Sequence, residues 1–142
     1  MLFGQDRNQL RQVYFQSWHK FKNKLPIEPM ESLIGNLIQR HPEYHDFFNQ
    51  SEDNQDKDFS PEMGQTNPFL HLGMHISIQE QLGTQRPPEL TTLYQSLCTK
   101  LGDAHEAEHK IMDCLGEMLW SAQRNNQPPN ETTYIECIKK LL

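Results

Sequence analysis

Apolar residues recur along this chain at spacings of three and four, the period of a helix packed on one side. Leu10, Val13, Tyr14, Trp18 and Phe21 form one such stripe over residues 5–22. Met30, Leu33, Ile34, Leu37 and Ile38 form a second, and Pro29 suits its first helical position. Pro42 interrupts that helix, because the residue before a proline is pushed out of helical backbone. It can itself open a short helix through Tyr44, Phe47 and Phe48. Asn67-Pro68 is a strong helix start, a capping side chain followed by proline, and the helix is expected to reach about Leu82 and stop near Gly83. Leu90, Leu93, Tyr94, Leu97, Cys98 and Leu101 line the next helix. Gly102 fits its C-terminal cap and Asp103 the following N-cap, so the turn between them is tight. Residues 104–124 form the longest helix, residues 125–130 break it, and Asn130 caps a last one through Tyr134, Ile135, Ile138 and Leu141. No segment alternates with a strand period. The pattern predicts a single all-α, bundle-like domain over residues 1–142, with about six helices and a long polar loop at 49–66.

Composition narrows the function. A net charge of −6 and a pI near 5.6 argue against a nucleic-acid or anionic-membrane binder, since both need a basic surface. No run of apolar residues is long enough to span a bilayer, and the N-terminus lacks the order of a signal peptide. Cys98, Cys114 and Cys137 are widely spaced among apolar residues with no Cys-x-x-Cys, which reads as small buried hydrophobes in a reducing compartment, hence a cytoplasmic protein. Trp18 and Trp120 read as core anchors. The loop carboxylates Glu52, Asp53, Asp56 and Asp58 lack the glycine and terminal glutamate of an EF-hand.

Histidine changes the picture most. Six of the seven fall into pairs spaced i, i+4: His41/His45, His71/His75 and His105/His109. Random placement would give about a third of one such pair. On a helix that spacing puts both imidazoles on one face. Pro42 keeps His41 out of regular helix, so the argument is weaker for the first pair. His105 and His109 share a narrow stripe at the edge of a broad apolar face made by Ala107, Ile111, Cys114, Leu115 and Met118. Asp113 is the carboxylate nearest that stripe, with Glu106 and Glu108 further round on either side. One turn after His75, where a carboxylate would be natural, stands Gln79.

The segments Gln65-Thr-Asn-Pro-Phe-Leu-His71-Leu-Gly-Met-His75, Arg86-Pro87-Pro88, and His105-Glu-Ala-Glu-His109 running on to Trp120-Ser-Ala-Gln-Arg124 resemble a small bacterial family, the domain of unknown function numbered eighteen forty-one. The resemblance covers nearly the whole chain. It implies a bacterial cytoplasmic protein and carries no activity, cofactor or catalytic residue with it.

The site expected from the residues themselves is a transition-metal centre with His71, His75, His105 and His109 as ligands. His45, Glu106 and Asp113 would add ligands or orient them. Imidazole suits zinc, iron and copper. If chemistry occurs there, Glu106 or Glu108 is the economical proton acceptor for a metal-bound water. The alternative is a non-enzymatic protein-interaction module, binding a partner or a second copy of itself, whose histidines only cap helices and hydrogen-bond inside the fold.

Overall fold

The computed structural model describes residues 7–50, 54, 57, 59 and 67–142. Among the described residues, the helices with defined bounds run in the order α1 (Arg7–Lys22), α2 (Pro29–Gln39), α3 (His45–Asn49), α4 (Pro68–Thr84), α5 (Glu89–Leu101), α6 (Ala104–Arg124) and α7 (Glu131–Lys139). A 3-10 turn, Pro42–Tyr44, precedes α3. Among the described residues there is no strand, and no helix is long and apolar enough to cross a membrane. The fold is all-α. The expected loop at 49–66 falls almost wholly outside the described residues, and so do Glu52, Asp53, Asp56 and Asp58.

The chain divides into two compact units, residues 1–73 and 74–142, the boundary falling within α4. In the first, α1 and α2 pack closely. Gly35 of α2 sits so near the Phe21 ring that a Cβ there would lie 2.5 Å from it. Tyr14, Phe15, Trp18, Ile34, Leu37, Ile38 and Phe48 are buried. Phe69 joins the aromatic group edge-on, 5.6 Å from Tyr14 and 5.8 Å from Phe15 between ring centroids. Buried Arg11 is satisfied there: its guanidinium lies over the Phe69 face at 4.5 Å, and Nη1 donates to the Lys57 carbonyl at 2.7 Å.

The caps form where the sequence placed them. Asn67 Oδ1 accepts from the backbone N–H groups of Phe69 and Leu70 at 3.0 and 3.3 Å. Gly102 takes φ +74° after α5, a left-handed conformation cheap only for glycine, and Asp103 Oδ1 accepts from the His105 N–H at 2.9 Å. Asn130 caps α7 through the Thr133 N–H. These caps fix where α6 and its histidines begin. In the second unit Ile78, Leu90, Leu97, Ala107, Ile111, Cys114, Leu115, Met118, Tyr134 and Ile138 make one core. Tyr134 is buried to 1% exposure yet its hydroxyl donates to Gln81 Oε1 at 2.8 Å.

Two expectations are corrected. Cys114 and Cys137 are joined in a disulfide that ties α6 to α7, leaving Cys98 as the free thiol. Their separation of 23 residues in sequence gave no hint of their meeting, and the cysteine argument for a reducing compartment falls with the pairing. Trp120 is 58% exposed, whereas Trp18 is buried as expected. Trp120 lies beyond the histidine stripe on the side of α6 away from the apolar face, and the Arg124 guanidinium covers its ring at 5.1 Å.

The glycine contact gives a direct test. Gly35→Ala should destabilise by about 1–3 kcal/mol, because the clash is with the root of the Phe21 ring, which cannot rotate away. Gly83→Ala, an exposed helical site with nothing within 4 Å, should be neutral or stabilising. Equal effects in chemical denaturation would contradict this packing. Two phenols, buried Tyr14 and half-buried Tyr44, give a second. Burial pushes Tyr14 and Tyr44 up to about 12, with the Glu43 charge adding to the shift at Tyr44. A folded pKa above the unfolded value of about 10 means that their contribution is complete below about pH 10 and is lost as pH climbs towards 12. Phenolate absorbance of the native protein should therefore lag behind that of the denatured chain on alkaline titration; coincident curves would contradict it.

Candidate metal centre

The second unit places three of the four expected ligands together. His75 comes from α4, and His105 and His109 come from successive turns of α6. Their ring centroids are 5.3 Å apart for His75/His105, 4.8 Å for His75/His109 and 4.2 Å for His105/His109. One nitrogen from each lies within 4.8 Å of the others. Imidazoles held roughly 2.0–2.1 Å from a tetrahedral ion stand about 3.4 Å apart, so closing on an ion needs a contraction of at most about 1.4 Å across the widest pair. His75 is fully buried, and His105 and His109 are partly so. The donor set fits a borderline transition metal.

Behind the imidazoles stands a carboxylate to which the sequence had given a lesser place. Glu108, only 2% exposed, accepts from His75 Nδ1 through Oε1 at 2.8 Å. Its other oxygen, Oε2, accepts from Gln79 Nε2 at 2.8 Å. Glu106 and Asp113, the two carboxylates expected beside the site, are exposed on α6. The difference was readable on the helical wheel. Asp113 and Glu106 lie on the solvent side of the histidine stripe, whereas Glu108 lies on the apolar side, next to Leu115 and Met112. A carboxylate on a face that must be buried requires polar partners, which is a stronger signal than angular distance alone.

The remaining histidines belong to the first unit. His41 is buried at the start of the 3-10 turn, where its Nδ1–H donates to the Leu37 carbonyl at 2.6 Å. Its Nε2 meets His71 Nε2 at 3.2 Å, and both rings lie against Tyr44. His45 donates from Nε2 to the Ile38 carbonyl at 3.0 Å and packs on Trp18 at 4.9 Å. His41 and His45 thus serve the last carbonyls of α2, groups that a helix cannot satisfy itself. His19 is exposed on α1.

An all-α chain carrying a buried histidine–carboxylate cluster is the class that fold and site define. The chain belongs to the family described as Domain of unknown function (DUF1841), whose model matches residues 6–140. No curated protein and no solved structure matches the chain.

Proposed function

We propose that this is a metal-binding protein in which His75, His105 and His109 hold one transition-metal ion. The observation that carries the reading is the convergence of three imidazoles, from two helices, on one small and largely buried volume. Two of the three come from one His-x-x-x-His pair, the spacing that puts both rings on the same face of α6. Zinc, iron and copper are the ions suited to such a set.

The rival reading, a metal-free interaction module, has its own observation in the neighbouring Leu119 and Trp120, 40% and 58% exposed. It explains the helix-capping roles of His41 and His45. It gives no reason for three more imidazoles to gather around one point, and the metal reading is preferred for that reason.

Elemental analysis of the untagged, gel-filtered protein tests the proposal. About one equivalent of zinc, iron or copper per chain is expected, lost in His75→Ala/His109→Ala and reduced in the milder His109→Asn, with circular dichroism confirming that each variant is folded. A folded wild-type protein that takes up none of the three metals, even when they are added back, would sink it.

A further inference from the structure

The partners of Glu108 imply a role that the ligand assignment does not contain. The carboxylate lies between His105 and His109 in sequence, yet it is 2% exposed and turned away from bulk water. It holds the imidazole of His75 on one oxygen and the amide of Gln79 on the other, both at 2.8 Å. Gln79 stands one turn after His75 on α4, so the two donors rise from one helix face to grip both oxygens of a single group on α6. This bidentate grip fixes the carboxylate in position and orientation. A carboxylate accepts only from an imidazole nitrogen that carries a proton, so the neutral form of His75 has its proton on Nδ1 and its lone pair on Nε2. The ring can then present only Nε2 to an ion, at an angle set by the Glu108 bond.

We propose that Glu108 is the positioning residue of the metal centre: it selects the Nδ1–H tautomer of His75, fixes the ring's direction and raises its basicity as a ligand, while Gln79 holds Glu108 in place. The inference rests on the metal-binding reading. Carboxylates that orient ligand histidines commonly strengthen metal binding by about 10–100-fold.

The test is a double-mutant cycle on the full chain, read as zinc affinity in competition with a chromophoric chelator and as the visible spectrum of the cobalt-loaded protein. Glu108→Gln keeps the size of the side chain but removes the charge, and should weaken zinc binding by about 10–100-fold and alter the cobalt spectrum. Placed on His75→Ala, the same change should cost little more, because its effect passes through the ring that is gone. Gln79→Ala, which leaves every ligand and the carboxylate intact, should give a smaller loss in the same direction and guards against a Glu108 variant that does not fold. An unchanged affinity and spectrum in folded Glu108→Gln, with His75→Ala impaired, would overturn the positioning role and leave the metal reading standing. So would a Glu108→Gln loss that persists in full on the His75→Ala background. A wild-type chain that binds no zinc or cobalt would remove the metal reading and this inference together.

Discussion

A carboxylate buried away from bulk solvent is the constraint from which this site follows. Glu108 is buried on α6, and a buried carboxylate is expensive unless its oxygens are occupied by donors. Both donors, His75 and Gln79, come from α4. That requirement sets the rotation and register of α6 against residues 74–84 more sharply than apolar packing can, since Ile, Leu and Met tolerate sliding and a two-oxygen grip does not. Once the register is fixed, His105 and His109, three residues before and one after Glu108, are carried to His75 as a consequence. The Asp103 cap and the left-handed Gly102 decide where α6 starts, and so at what height the histidines stand.

The histidine pairs show that spacing alone does not assign a role. His41/His45 and His105/His109 share the i, i+4 separation. The first pair turns its rings back onto the Leu37 and Ile38 carbonyls at the end of α2 and does structural work there. The second turns its rings toward a third imidazole. The difference lies in the backbone: Pro42 breaks the helix between His41 and His45, so their rings reach the C-terminal carbonyls of α2, whereas α6 is continuous and capped. His71/His75 divides between the two behaviours, His71 meeting His41 in the first unit and His75 meeting Glu108 in the second.

The helices were legible because their signals are local. Asn67, Gly102, Asp103 and Asn130 each act within a few residues of themselves, and each does in the structure what its position implies. His75, His105 and His109 were legible because a helix converts spacing into direction. The Cys114–Cys137 bridge was not, since it depends on how two helices pack and not on either one alone. Trp120 has the size of a core residue, but its angular position beyond the histidine stripe turns it to solvent. Asp113 stands nearer the histidine stripe than Glu108, but the side of the stripe, and not the distance from it, decides which carboxylate is buried.

The most direct measurement of the central claim is X-ray absorption at the metal edge of the zinc-loaded protein. A centre built on His75, His105 and His109 predicts nitrogen scatterers at about 2.0–2.1 Å with the outer-shell pattern of at least three imidazoles, and no sulfur at about 2.3 Å. Zinc surrounded only by oxygen, or by a thiolate from Cys98, would contradict the account and move any metal to another part of the chain.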